Sequence, residues 1–551
     1  MNTETPPPPS RIPFFRRCWR AVFSRKMLYA LIILATLIAL LYAEENFRGA
    51  RAWKNYRQDA EARGLKLDLA AHIPPPIPDA ENGANTPFIQ SWFIRPKRDD
   101  TNAWAELRRQ DTNQWPTKYS EASGKITIKR RTTGNGSQDD RFFTDLVAWQ
   151  QSFARLKEPK DKNAQPIIRN SHGLDLDAPE QAKAAVVVLE ELKAYEPALA
   201  ELRAMSTRSK FRYPVTYKLD QPFTTLLPHL AKIKGIIQTL SLQASAELAA
   251  GQTNQAFENV RLMLKFCDSV EDEPFLISQL VRIAGRQIVL QPVWEGLARH
   301  QWSDAQLKEM QELFLRTDFA SSLERSLAAE RASALTLIQW VQKQNKIGDS
   351  LAAVYGTEDS SPVTPGNRTA ANVAGWFVPR GWFYFEMVNH GTVMDGQFKD
   401  AWDSGSKVFH PQSDIENDRR LLELFGRDWE YGILHHRLFA RMLLGALGRV
   451  AMRSARAQST ASQATLACAL ERHWLKHGSH GSYPESLAAL VPQYLAKIPN
   501  EAVSTEPMHY RRTDEGYVLY SVGWDGKDDG GKFLKMKDNR ETGDWVWRSA
   551  P

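Results

Sequence analysis

Residues 27–43 read MLYALIILATLIALLYA, a run without a charge or a proline. The segment is apolar on every face, so packing one side on a core would leave no polar side for water. At a helical rise of 1.5 Å per residue it reaches about 25 Å, the lower limit for a bilayer core. Tyr29 and Tyr42 stand where the two membrane–water interfaces would be. Lys26 can lay its stem along lipid and raise its ammonium to the headgroups. The segment is read as a transmembrane helix.

Charge gives the direction. Residues 1–26 hold Arg11, Arg16, Arg17, Arg20, Arg25 and Lys26 against Glu4 alone. Basic residues stay on the cytosolic side of a span, so the tail is expected in the cytosol and the bulk of the chain outside. A cleaved signal peptide is the competing reading. Against it stand the long basic region with its Pro6–Pro9 run, the length of the apolar stretch, and Ala43-Glu44-Glu45-Asn46, which lacks a small-x-small cleavage pattern. An uncleaved anchor in the inner (cytoplasmic) membrane is expected. The tail also accounts for most of the formal net charge of +7. What remains is nearly neutral and mixed in sign, which argues against nucleic acid as a partner.

A chain of 551 residues exceeds one hydrophobic core. The expected fold is mainly α with a small α+β C-terminal module and one N-terminal transmembrane helix. Residues 44–71 continue as a juxtamembrane helix. Residues 72–87, with a run of prolines, form an extended linker. Residues 88–180 are mixed and polar, with a strand at Lys125–Arg131 followed by the turn-like Gly134-Asn135-Gly136. Residues 181–345 show helical spacing throughout and form an α-helical domain. Within it Ser303 and Gln306 make a capping box, and Trp302 and Leu307 occupy the staple positions. Leu240–Ala250 and Asn254–Asp268 form two helices broken at Gly251, somewhat like a tetratricopeptide unit but without a sustained repeat. Residues 346–429 join a polar break (356–372) to an aromatic-rich segment, Trp376 to Phe385, for which a core role and an interface role are both open. Residues 430–477 read as one long helix leading into the final module.

Three cysteines, Cys18, Cys267 and Cys468, show no metal or redox spacing. The last two sit in apolar helical patterns and are expected as buried free thiols, although a disulfide is permitted outside the cytosol. His473, His477 and His480 follow H-x-x-x-H-x-x-H. The first pair shares a helical face, but Gly478 and Gly481 put the third in a loop, so a polar helix end is the favoured reading over zinc. No GxSxG, P-loop or dinucleotide fingerprint is present. Between Asp525 and Asp529 the chain offers Asp525, Asp528 and Asp529 with glycines that expose carbonyls. Calcium takes six to eight oxygens from flexible loops, so these three are candidate ligands; the spacing is not that of an EF-hand. The alternative is a solvated Asp/Gly turn.

From Gln463 onward a helix through Leu466, Leu470 and Trp474 leads to Tyr483-Pro484, Leu487, Leu490-Val491-Pro492 and Ile498-Pro499. A hairpin (Met508–Arg512, turn 513–516, Tyr517–Val522) follows, then Gly523-Trp524-Asp525-Gly526-Lys527-Asp528-Asp529-Gly530-Gly531 and the closing Gly543-Asp544-Trp545. This end resembles the globular C-terminal domain of type II secretion major pseudopilins. The resemblance implies a long helix, a small antiparallel sheet and an Asp/Gly loop that holds a structural calcium. It covers roughly the last sixth of the chain. The prepilin-peptidase motif of that family is missing from the apolar segment, and Asn500 stands where the family has Asp, so a pilin subunit is not implied. The arrangement as a whole resembles bacterial single-pass membrane-anchored proteins with such an end, which implies architecture and no activity. The function expected is an extracytoplasmic scaffold or assembly protein of the bacterial envelope, with an envelope or secretion-related protein as partner. A periplasmic hydrolase is the alternative.

Overall fold

The computed structural model describes residues 25–95, 102–103, 105–107, 115–129, 142–158, 167–170, 179–355, 365–425, 435–444, 447, 449–477, 482–537 and 540–549. The tail up to residue 24, the Gly134-Asn135-Gly136 turn, residues 356–364 of the polar break, and His480 lie outside these. The described helices of nine residues or more are α1 (Arg25–Ala62), α2 (Leu146–Lys157), α3 (Pro179–Leu192), α4 (Glu196–Ser206), α5 (Pro228–Ala249), α6 (Thr253–Asp268), α7 (Leu276–Ala298), α8 (Asp304–Leu315), α9 (Phe319–Gln342), α10 (Ile347–Tyr355), α11 (Pro365–Gly375), α12 (Gly381–Gln397), α13 (Pro411–Phe425) and α14 (Val450–Lys476). The described strands are β1 (Ile126–Lys129), β2 (Ile167–Asn170), β3 (Trp402–Asp403), β4 (Val408–Phe409), β5 (His509–Thr513), β6 (Gly516–Ser521), β7 (Phe533–Lys537), β8 (Arg540–Gly543) and β9 (Trp545–Arg548). The protein is mainly helical with small sheets near its C-terminus, as its periodicity predicts.

Two compact units divide the chain. The first gathers Met1–Leu65, Leu337–Thr392 and Arg427–Met442; the second gathers Lys66–Thr336, Val393–Gly426 and Leu443–Pro551.

In the first unit α1 is a single helix, about 57 Å long at 1.5 Å per residue. The apolar segment and the juxtamembrane helix are therefore one element. It stops at Ala62, short of the expected residue 71, just before Gly64 (φ 81°) and the bend that follows. Its N-terminal part is long and apolar enough to cross a membrane, and among the described residues none in that apolar window is buried. Its C-terminal part packs on α12. There the two backbones touch: a Cβ on Gly49 would collide with the Gly381 carbonyl, and a Cβ on Gly381 would collide with the carbonyl of Glu45. Only glycine allows this approach. Glu386, buried on α12, accepts from the N–H groups of Leu438 (2.9 Å) and Phe439 (3.0 Å) at the start of a short helix, Leu438–Leu444. Of the aromatic-rich segment, Phe383 is core, Trp382, Tyr384 and Phe385 are half-buried, and Trp376 and Phe377 face out.

In the second unit, helices α5 to α8 and α14 share one core with the C-terminal sheet. Helix α14 is buried over most of its circumference and rich in alanine, which lets α7, α8 and β9 approach it from different sides. Its N-terminus corrects the expected 430–477 helix. Arg449 adopts φ 67°, and α14 starts only at Val450. The capping box at Ser303 and Gln306 is formed, with Trp302 and Leu307 both buried beside it. The break between α5 and α6 falls at Gly251 (φ 74°). The N–H of Gln252 bonds the Glu247 carbonyl at 2.7 Å and that of Gly251 bonds the Leu248 carbonyl at 3.1 Å, a Schellman closure. Strand β1 lies within the predicted Lys125–Arg131 segment and pairs in parallel with β2. Residues 72–87 are not a free linker. Asn82 Nδ2 donates to the Arg212 carbonyl (2.9 Å), and Ala84 is fully buried. Strands β5, β6 and β9 form the antiparallel sheet, with Tyr510 opposite Leu519 and Leu519 opposite Trp547. Cys267 and Cys468 are buried free thiols.

Candidate functional site

A cleft of about 870 Å³ in the second unit, lined mostly by polar side chains, is walled by α4, α5, α6 and α8. Its geometry begins at the Schellman turn. By reversing the chain at Gly251, that turn sets the last turn of α5 against the first turns of α6, so Glu247 faces Asn259. Glu247 is 4% exposed. Its Oε1 accepts from Gln243 Nε2 (3.0 Å) and Asn259 Nδ2 (3.0 Å), and its Oε2 lies 2.8 Å from the same Nδ2. Burial pushes its carboxyl up to about 7, against the pull of these amides. Asn259 Oδ1 in turn accepts from Arg203 Nη2 at 3.5 Å, and Arg203 pairs with Glu196.

Other charged residues of the lining have partners as well. Arg261 bridges Glu258 (3.0 Å) and Glu309 (3.6 Å). The Lys265 ammonium lies 5.2 Å from the centre of the Phe211 ring, and burial lowers its pKa. Asp268 at the rim takes Arg286 Nη2 (2.6 Å) and Arg282 Nη2 (3.5 Å), two buried guanidiniums one turn apart on α7. Arg286 continues to Thr317 (2.8 Å) and Arg282 to Glu271 (3.0 Å) and Ser322 (3.0 Å), so the charge below the cleft is compensated.

A second hollow of about 460 Å³ lies beside Pro74–Pro78, Tyr213 and Glu273. Beneath it, His229 Nε2 is 2.6 Å from Glu273 Oε1, and Ser278 Oγ donates to Glu273 Oε2 at 2.5 Å. The three residue types are those of a hydrolytic triad, but the connectivity differs. The serine proton goes to the carboxylate rather than to the imidazole, so no base activates the oxygen. Tyr213 stacks on His229 at 4.5 Å and bonds Ser269, which makes this a buried structural network.

The residues singled out from the sequence fall elsewhere. Asp525 Oδ1 accepts from Lys527 N (3.2 Å), and its Oδ2 accepts from Gly543 N (3.2 Å). Asp528 Oδ1 accepts from Gly530 N at 2.8 Å. Asp529 Oδ2 is buried without a hydrogen-bond partner among the described residues. The loop is organised by Asp544, which is fully buried and accepts from the N–H groups of Asp529 (3.1 Å), Gly531 (2.7 Å) and Lys532 (3.3 Å). Burial raises the Asp544 carboxyl in spite of those donors. Among the described residues no three His, Cys, Asp or Glu side chains converge as a metal-holding group. His473 and His477 stack at 4.0 Å, and His477 Nδ1 lies 2.7 Å from the His473 carbonyl.

The chain matches no family model, no curated protein and no solved structure.

Proposed function

We propose that the chain is a membrane-tethered scaffold of the bacterial envelope. Residues 27–43 hold it in the inner membrane with the N-terminus in the cytosol, and the helical unit outside receives a polypeptide segment of another envelope or secretion component in its polar cleft. The observation that supports this reading is the lining. Several of its charges are already paired, Arg203 with Glu196 and Arg261 with Glu258 and Glu309, and exposed amides, Asn254 and Gln255, stand among them. An amide offers one donor group and one acceptor, the same complement that an extended backbone presents. The test is a photo-crosslinking residue in place of Gln255 in the full chain, in intact membranes. A discrete crosslinked protein is expected. Crosslinks to nothing but this chain would sink the proposal.

A hydrolase acting on extracytoplasmic material is the second reading. It is favoured by Glu247, a buried carboxyl whose pKa is pushed up to about 7 and which lines the cleft. Glu247→Gln distinguishes the two: a scaffold keeps its crosslink, whereas a hydrolase loses turnover of whatever the cleft holds.

For the C-terminal loop the proposal is a structural calcium ion at Asp525, Asp528 and Asp529. The unsatisfied buried oxygen of Asp529 and the pseudopilin-like character of the module support it.

A further inference from the structure

Tyr42 closes the apolar segment of α1, and its hydroxyl donates to the Phe377 carbonyl at 2.6 Å. That bond holds the loop between α11 and α12 level with the end of the segment. The side chains presented there are apolar and face outward. Trp376 is 73% exposed, Phe377 is 70% exposed, and Val373, close by on α11, is 55% exposed. Phe47, about 7.5 Å along α1 from Tyr42, is 67% exposed. The loop is fastened on both sides. Gly381 N donates to Asn46 Oδ1 (2.6 Å) and Trp382 Nε1 to Glu45 Oε2 (3.2 Å). Arg380 Nη1 donates to the carbonyls of Gln342 (2.5 Å) and Gln344 (3.0 Å). Exposed aromatics on a braced loop are therefore a fixed surface.

Aromatic side chains concentrate at the boundary between hydrocarbon and water, where a ring meets lipid while nearby polar groups stay wet. Glu44 and Arg48, both exposed, fall at this level on α1 and can meet headgroups. We infer that Trp376 and Phe377, with Val373 and Phe47, sit in the outer interfacial layer of the bilayer, giving the first unit a membrane contact beside its helix. The inference rests on the reading of α1 as a membrane span. The occupant is lipid because the patch is continuous with the segment that enters the bilayer.

The test uses the full chain carrying Cys18→Ser in phosphatidylcholine vesicles; Cys267 and Cys468 are buried and escape labelling. A polarity-sensitive fluorophore is placed at Phe377→Cys, at Trp376→Cys as a second position, and separately at Leu37→Cys inside the span. The expected result at 377 and 376 is a blue-shifted emission, quenched by lipids with a nitroxide near the headgroup and little affected by an aqueous quencher. The Leu37 probe responds to a nitroxide deep in the acyl chain. If the Leu37 probe is quenched by lipid while 376 and 377 respond only to the aqueous quencher, the inference fails and the anchor stands. If no position responds to lipid, both fail. If 376 and 377 are shielded from both quenchers, a protein surface, such as a second copy, covers them, and the inference is overturned.

Discussion

At the scale of the residue, the chemistry of the second unit is set by acids taken out of water. Glu247 is the clearest. Its folded pKa of about 7 lies above the ordinary 4.5, so the neutral acid is the form the fold prefers. The stability it contributes is complete below pH 4.5, declines as pH rises, and is lost above about 7. That interval corresponds to a swing on the order of 3 kcal/mol. Glu247→Gln is expected to flatten this part of the profile, so that the variant gains on the parent protein between pH 5 and 8 in thermal melts. A difference independent of pH would show that the carboxyl is ionised throughout. None of this was legible from the sequence. Glu247 lies in a run of leucines and alanines, and its partners Arg203 and Asn259 stand on other helices. The one local signal was Gln243, an amide one helical turn before the acid on a strongly apolar helix. Asp544 was hidden for a related reason: it looks like part of a closing motif, but its work is done on N–H groups more than ten residues upstream.

At the scale of the element, signals carried within about four residues were dependable. The capping box at Ser303, the break at Gly251 and the final hairpin are all formed as read, and Trp302 and Leu307 at the staple positions are both buried. The extent of the elements was less legible. The first helix ends at Ala62 rather than residue 71, and the long C-terminal helix begins at Val450 rather than residue 430, because hydrophobic spacing continues past both points while positive φ at Gly64 and Arg449 interrupts the helix. The contact between α1 and α12 was invisible, since a glycine in a helix does not announce which backbone it admits. Gly49→Leu is expected to force these helices apart at a cost of about 1–3 kcal/mol. Limited proteolysis should then cut within residues 337–392 sooner than in the parent, while a protease map of the C-terminal module stays unchanged. The Asp/Gly loop belongs to the same scale. If it holds calcium, adding the ion raises the melting temperature, and Asp525→Ala with Asp528→Ala removes the rise. A parent protein that melts identically with calcium and with chelator would rule the ion out.

At the scale of the whole molecule, composition and charge carried the architecture: one apolar helix near the N-terminus, a helical body and small sheets at the end. The makeup of the first unit was beyond them. It draws on three stretches far apart in the chain, and periodicity within a window says nothing about which windows meet. Orientation is open to a direct test. A C-terminal reporter active only outside the cytosol is expected to be active in the full chain, and an inactive reporter, with the fusion intact in the membrane, would reverse the topology. One feature of α1 bears on how such a molecule behaves in place. The helix has no break between Arg25 and Ala62, and its far half is wedged backbone to backbone against α12. A joint that cannot swivel transmits torque. On the proposed reading of α1 as a membrane span, a change in bilayer thickness that tilts its apolar half must tilt the first unit through the same angle. On that proposal the first unit is mounted in the manner of a lever on a rigid shaft, and its bearing follows the lipid around it.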